Sequence, residues 1–388
     1  MTYSPIKMGV IGLGRGFALS ARGLQAHPDI HLIAGANPSE ASRKAFEATF
    51  GGQTYPDYID MLRDPEIEIV YVATPHQMHS AHVTDCLNAG KHVVVEKPIT
   101  IDLGEARALT QLAAEKGLHL LVGPSHSYDA PVAQAASTIE NGALGQPKML
   151  HMLTATDFMY RPRRPEELKT SAGGGVVFSQ AVHQVDVAMR LIGSRPVSVF
   201  AKTGNWDPER PSEGAFMAIV SFENGACASL TYSGYGFYDS DIEMDGVSEL
   251  GVAKPANAYG KARRALKDVP DEVTFKRTRA FTGIDGLPDP THHEHFGPVT
   301  VFCERGDIHI GMDRVSIYGP DKIETINCPF DYSRKDFAQA IVDLLHAGPK
   351  PVQLGTWGHD ALATCHAILD SADSGQPVSI NPLRTGDT

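Results

Sequence analysis

Nothing in this sequence is built for cross-linking or for a metal knuckle. Its five cysteines, Cys86, Cys227, Cys303, Cys328 and Cys365, are odd in number, widely spaced and contain no C-x-x-C pair. Neither a disulfide framework nor a zinc site is indicated, and no metal ligand set is assigned. Long apolar runs are missing too: no stretch approaches the about 20 residues of a membrane helix, so no membrane partner is expected. Positive charge is scarce. Lys and Arg number 34 against 46 Asp and Glu, a net charge of −12. That balance argues against nucleic acid, because a phosphate backbone asks for a basic footprint. It leaves room for an anionic small substrate, which a local arginine cluster can hold against the global field. Residues 1–7 run straight into a strand-like segment with no room for a signal peptide, and a reducing cytoplasm is the expected compartment.

What is present is alternation. Strand-like runs at 8–11, 31–36, 69–73, 92–96 and 119–122 alternate with helical stretches at 17–26, 40–50, 79–89 and 102–116. This pattern specifies a parallel sheet with helices on both faces. Past 128 the strands lengthen, at 148–156, 197–203, 215–222, 226–232, 299–304, 307–310 and 314–318, with helices at 131–141, 336–347 and 357–374. A chain of 388 residues is too long for one ordinary domain. The expected fold class is therefore α/β: a Rossmann dinucleotide-binding domain over 1–127, then an α+β domain over 128–388 with a large, mostly antiparallel open sheet. The closing helices fall at about 336–374. Residues 234–298 are polar and lack a clear period, and long irregular insertions of this kind serve as lids, binding loops or subunit contacts.

The motifs sit at the ends of the predicted strands. Gly12-Leu13-Gly14-Arg15-Gly16-Phe17 follows the first strand. Gly12 allows the tight turn, and Gly14 lets the backbone approach a pyrophosphate at the start of the next helix. Phe17 stands where a third glycine is usual, beside Gly16. Asn37 ends the second strand, where an aspartate would hold ribose hydroxyls and repel a 2′-phosphate. Asparagine removes that repulsion, and Ser39 and Arg43 lie close by, so the expected cofactor is NAD with NADP not excluded. Thr74-Pro75 and His79 follow the next strand, where a loop should cross the cofactor. The apolar run Val93-Val94-Val95 ends in Glu96-Lys97-Pro98, which places Lys97 in the crevice where doubly wound sheets bind ligands. Further on, Gly173-Gly174-Gly175 leads into a helix carrying Ser179, His183 and Asp186 at a spacing that predicts one shared face. A histidine there, near a crevice lysine, can take an alcohol proton while hydride leaves for a nicotinamide. His292-His293-x-His295 invites a metal reading, but adjacent histidines do not converge readily on one ion. A loop near the substrate or a subunit contact is the expectation.

Together the glycine loop, Thr74-Pro75 with His79, Glu96-Lys97-Pro98 and the glycine-led helix with His183 and Asp186 resemble the Gfo/Idh/MocA family of NAD(P)-dependent oxidoreductases, over essentially the whole chain. The resemblance implies that Lys97 and His183 work at the substrate carbon. The family usually carries an aspartate four residues before the histidine and a glycine two before it, where this chain has Ser179 and Ala181. That departure implies a substrate other than a plain sugar or inositol. The runs 160–168, 178–186, 203–208 and 232–236 are similar, more narrowly, to the branch that oxidises aromatic cis-dihydrodiol carboxylates in phthalate breakdown. This implies oxidation of 4,5-dihydro-4,5-dihydroxyphthalate to 4,5-dihydroxyphthalate with NAD reduced. Ser179 and Gln180 would then lie at the substrate beside His183. Arg161, Arg163 and Arg164 become the candidate carboxylate binders, since the guanidinium fork suits a carboxylate. On this reading His183 removes the hydroxyl proton and Lys97 steadies the developing oxyanion. A dehydrogenase of sugars, inositol or acidic polyols is the alternative within the family. A non-catalytic dinucleotide-binding redox sensor is the alternative of another class. Family members commonly pair their second-domain sheets, which implies a homo-oligomer, dimer or tetramer.

Overall fold

The computed structural model describes residues 4–255, 257–287 and 289–383. The first layer runs β1 (Ile6–Ile11), α1 (Arg15–Ala26), β2 (Ile30–Ala36), α2 (Glu40–Phe50), β3 (Gln53–Tyr55), α3 (Tyr58–Leu62), β4 (Ile69–Val72), α4 (His79–Asn88), β5 (His92–Val95), α5 (Leu103–Glu115) and β6 (Leu120–Val122). Its strands lie in the order β3-β2-β1-β4-β5-β6, and all are parallel. Helices cover both faces, which is why β4 and the Val93–Val95 run are continuously apolar and wholly buried. The chain reverses its direction of winding between β1 and β4, and the crevice opens outside the strand ends there. The short β3 and α3 were not anticipated, because three residues and five residues are too few to set a period.

The second layer continues with α6 (Ala130–Glu140), β7 (Pro147–Ala155), α7 (Val182–Ile192), β8 (Pro196–Gly204), β9 (Ala215–Phe222) and β10 (Cys227–Ser233). After the insertion, which contains α8 (Lys261–Lys267) and α9 (Glu272–Arg277), come β11 (Val299–Cys303), β12 (Gly306–Gly311), β13 (Arg314–Tyr318), β14 (Ile323–Asn327), α10 (Lys335–Leu345), α11 (Gly355–Ser374) and β15 (Val378–Ser379). Nine strands form one sheet in the order β14-β13-β12-β11-β7-β10-β9-β8-β15. β7 and β10 pair in parallel, and the other described pairs are antiparallel. The expected α/β class and mostly antiparallel second sheet are therefore found. β14 escaped notice because its Ile-Glu-Thr-Ile-Asn sequence is an exposed edge with little apolar signal.

Two connections tie the layers together. α10 buries Phe337, Ala338 and Ile341 in the same core as β1 and α1, and α11 packs against both α5 and β8. Phe17 is fully buried in an aromatic cluster with Phe46, Phe50 and Phe281, at ring-centroid distances of 5.9, 6.0 and 5.1 Å. It stands in place of the third fingerprint glycine because α1 here packs through a ring that also reaches the insertion. No helix of the described residues is long and apolar enough to cross a membrane. Phe17→Ala removes a ring with no solvent exposure and is expected to cost about 3–5 kcal/mol, read as a lowered urea midpoint at unchanged secondary structure.

Candidate active site

Outside the ends of β1, β4 and β5 lies a cleft of about 600 Å³. Gly14, Arg15 and Gly16 line one side, Thr74, Pro75, His76, Glu96 and Lys97 the floor, and Arg164–Glu167 with Val273, Lys276 and Arg277 the roof. Gly12 has φ +93°, and a Cβ on it would lie 2.7 Å from the Thr74 methyl, so only glycine fits the turn. A Cβ at Gly14 would meet nothing within 4 Å, which leaves the space above the start of α1 open. Free backbone N–H groups there, at the positive end of a helix, suit a pyrophosphate. The residues thus fit a dinucleotide. Asn37 lies at the end of β2, and its Oδ1 accepts from Ser39 N at 2.8 Å. Arg43 Nη1 donates to the carbonyl oxygens of Asn37 and Pro38 at 2.6 and 2.9 Å, so a guanidinium stands ready beside this corner.

His79 is placed differently from the expectation. It is fully buried behind the loop, with its two ring nitrogens 2.9 Å from Thr74 O and from Pro98 O, and it does not line the cleft. Phe17 likewise points into the core rather than at a cofactor.

Glu96 and Lys97 part company at the end of β5. Glu96 Oε1 accepts from Tyr71 Oη at 2.5 Å, Tyr71 lies 3.0 Å from Ser20 Oγ, and Ser20 accepts from Arg334. Arg334 in turn donates Nε to both oxygens of Glu294, at 3.0 and 3.3 Å. Burial pushes the Glu96 carboxyl up, against the pull of Arg334 and Lys97. Lys97 Nζ donates to the backbone oxygen of Ser179 at 3.1 Å and forms no ion pair with a described carboxylate. Burial pulls its ammonium down to about 8, despite Glu96.

Opposite Lys97 stands His183. The spacing argument for one shared helical face holds for His183 and Asp186, which both reach Ser125 Oγ, and fails for Ser179, because Val177–Ala181 form a π turn before α7 begins at Val182. The wider turn sends the Ser179 hydroxyl back to Gly175 O and presents its carbonyl to Lys97. Gln180 is buried inside the same turn. Asp186 accepts from Ser125 Oγ at 2.7 Å, Ser127 N at 2.9 Å and Trp357 Nε1 at 2.7 Å. Since Ser125 gives its hydrogen to Asp186, its oxygen is left to accept from His183 Nδ1 at 3.4 Å, which turns an Nε2 lone pair outward. The His183 ring lies between His126 and Phe296, at 4.7 and 5.0 Å. Burial, and then the charges of Lys97, His126 and Arg334, hold His183 well below the ordinary imidazole value.

The arginine trio is largely engaged within the protein. Arg161 pairs with Glu249, Arg163 donates to Phe158 O at 2.6 Å with its guanidinium 3.6 Å from that ring's centroid, and Arg164 pairs with Glu166 and Glu167. Unpaired positive charge resides instead on Arg15 and Arg279, neither of which forms an ion pair with a described carboxylate. Arg15 is lowered by desolvation in the cleft and then by the fields of Arg279 and Arg161. Glu249 feels burial against it, but Arg161 brings it down to about 2. Arg15 was read from the sequence as part of the glycine loop, whereas Arg279, Arg334 and Glu249 went unnoticed because they come from separate segments with no shared motif.

The histidine group at 292–295 is structural in its contacts. His292 Nδ1 lies 2.5 Å from Asp313, His293 Nε2 3.1 Å from Cys328 O, and His295 Nε2 3.0 Å from Val247 O. Among the described residues no three His, Cys, Asp or Glu side chains are grouped to hold a metal ion.

A Rossmann layer with a lysine in its crevice, facing a histidine from a large antiparallel sheet domain, defines a nucleotide-dependent oxidoreductase. Residues 6–124 match the family model described as "Oxidoreductase family, NAD-binding Rossmann fold", and 132–248 match the GFO/IDH/MocA C-terminal domain. The chain is 36% identical over 375 residues to 1-carboxy-3-chloro-3,4-dihydroxycyclohexa-1,5-diene dehydrogenase of Comamonas testosteroni, covering 94% of each chain. A crystal structure from Bordetella bronchiseptica RB50, described as a dehydrogenase, superimposes with a TM-score of 0.92 at 35% identity, over 97% of this chain and 100% of that one. An oxidoreductase from Agrobacterium radiobacter in complex with NAD+, L-tartaric acid and magnesium shares the fold, with a TM-score of 0.74 at 17% identity, over 97% of this chain and 98% of that one. The protein belongs to the Gfo/Idh/MocA family, and it is an NAD-dependent oxidoreductase.

Asp186→Asn replaces one acceptor oxygen by a donor facing three donors. It is expected to cost about 1–3 kcal/mol in thermal or urea unfolding and to lower turnover by releasing Ser125 from its orientation toward His183.

Proposed function

We propose that this enzyme oxidises an aromatic cis-dihydrodiol carboxylate, with 4,5-dihydro-4,5-dihydroxyphthalate as the favoured substrate and 4,5-dihydroxyphthalate as the product. The observation that carries this reading is that Arg15, which lines the cleft with Lys97, and Arg279, whose charge acts on Arg15, form no ion pair with a described carboxylate. A neutral polyol has no use for such a field, whereas a substrate with two carboxylates does. The relative from Comamonas testosteroni, whose name describes a carboxylated dihydroxycyclohexadiene, supports the same class. Arg279 and Arg15 are the carboxylate ligands on this reading, since the trio at 161–164 already has internal partners.

NAD, when bound, would supply the hydride acceptor for the carbinol carbon. The protein's own residues handle the proton. His183 accepts at Nε2 a hydrogen bond from the neighbouring hydroxyl of the cis-diol, which fixes the substrate ring so that the reacting hydroxyl's own proton faces Lys97. Lys97, poised at about 8, takes the proton in its neutral form. This reverses the roles expected from the sequence. An imidazole held well below its ordinary value has little affinity for a proton, and no carboxylate touches it directly. The ketone formed then enolises to the aromatic catechol, which makes the overall step downhill. We also propose that the outward face of the nine-stranded sheet, with Phe200, Met217 and Ile219 exposed on adjacent strands, pairs with a second copy.

The direct test is NAD and NADP reduction at 340 nm with the phthalate dihydrodiol, beside myo-inositol and glucose. Turnover with the dihydrodiol alone is expected, and turnover with the polyols alone would overturn the reading. The pH profile separates the two proton assignments. If neutral Lys97 is the base, kcat/KM rises with pH and levels off above about 8. If its cation is what matters, the rate falls over the same interval. Lys97→Ala is expected to lower kcat by about 10²–10⁴ and to abolish that limb.

A further inference from the structure

We propose that α9 and the residues up to Phe281 form a strap over the dinucleotide cleft, with Arg277 binding the cofactor's pyrophosphate. Val273, Lys276, Arg277 and Ala280 line the cleft across from Gly14, Arg15 and Gly16. The room above Gly14 lies between them. A pyrophosphate placed at the start of α1 meets neutral backbone donors on the loop side. Beyond the Arg15 guanidinium, which lines the same cleft on the loop side, a roof cation is placed to meet the second of the pyrophosphate's two charges, and a guanidinium hydrogen bond to phosphate is of the strong, charge-assisted kind.

The strap is fastened at both ends, which separates it from an ordinary surface loop. On the substrate side Glu272 accepts from Arg210 Nη1 and Nη2 at 3.0 and 2.9 Å and from Arg163 N at 2.6 Å, while Asp271 caps α9 through Val273 N and Thr274 N at 2.9 and 3.2 Å. On the Rossmann side Phe281 N donates to Leu13 O at 3.2 Å, inside the glycine loop itself. The Phe281 ring is fully buried, 5.1 Å from Phe17 and stacked on Phe50 at 5.6 Å. Between these anchors Lys276 pairs with Glu167 of the roof. Arg277 is exposed and forms no ion pair with a described carboxylate, although the chain carries a net charge of −12. Arg43, at the end of β2, belongs to the ribose corner and does not line this cleft.

The test needs no substrate, so it stands whether or not the dihydrodiol reading does. NADH is titrated into the full chain by its fluorescence, with ADP-ribose as a second ligand that keeps the pyrophosphate and lacks the nicotinamide. Arg277→Ala is expected to weaken both about tenfold, Arg277→Glu about a hundredfold, and Arg277→Lys least. Saturating NADH is expected to slow tryptic cleavage after Lys276, Arg277 and Arg279. Unchanged NADH affinity in all three variants would overturn the phosphate contact, and tryptic cleavage indifferent to NADH would overturn the strap.

Discussion

The cost of holding a lysine at the mouth of a parallel sheet shapes the whole site. Lys97 emerges from a run of valines with no described carboxylate within ion-pair reach, and its ammonium donates to the Ser179 carbonyl. Withdrawing a cation from water without a partner favours its neutral form. Its neighbour Glu96, which would otherwise neutralise it, is drawn the other way into the chain of Tyr71, Ser20 and Arg334. The split leaves Lys97 without a salt bridge to its neighbour. Were Glu96 to turn toward it, the pair would be a stable salt bridge and a poor acid–base group. Arg334, from the start of α10, is therefore as necessary to the lysine as the strand that carries it, and this explains why the chain returns to the first layer before it ends.

The absence of an aspartate at position 179 has consequences that run through the proton chemistry. A carboxylate touching an imidazole raises its affinity for a proton, and here the nearest, Asp186, is separated from His183 by the Ser125 hydroxyl. That arrangement orients the ring and sets its tautomer while leaving it neutral. A neutral imidazole between Phe296 and His126 is a good hydrogen-bond acceptor and a weak base. The serine contributes its backbone instead, since the π turn that buries its hydroxyl is what aims its carbonyl at Lys97.

Much of this was legible beforehand, and the reason differs by element. The alternation of the first layer, Gly12, Gly14, Lys97 and His183 could be read because each rests on local geometry: a period, a turn, a strand end, a helix start. The shared face of Ser179 and His183 could not, because a π turn adds a residue without changing composition. Phe17 looked like a cofactor neighbour because the fingerprint counts positions, whereas its ring is held by Phe46 and Phe281 at distant positions. The basic turn at 161–164 looked like the carboxylate site because charge density is visible in a sequence and neutralisation is not. Glu249 and Glu272, which occupy Arg161 and the Arg163 backbone, both lie in the insertion that showed no period.

That insertion also resolves an apparent contradiction in charge. A protein with a surplus of acidic groups presents a cationic interior, which is possible only if most arginines near the site are individually neutralised and a few are not. Arg161, Arg164, Arg210 and Arg334 each have carboxylate partners. Those pairs build the walls and fix their spacing. Arg163 gives its guanidinium hydrogen to Phe158 O, while Arg15, Arg277 and Arg279, of the glycine loop and the segment fastened onto it, form no ion pair with a described carboxylate. A low-dielectric cleft focuses the field of such unpaired charges inward, where the acidic exterior does not cancel it. The field inside the cleft is thus set by which few arginines have no described carboxylate partner rather than by the net charge of the chain.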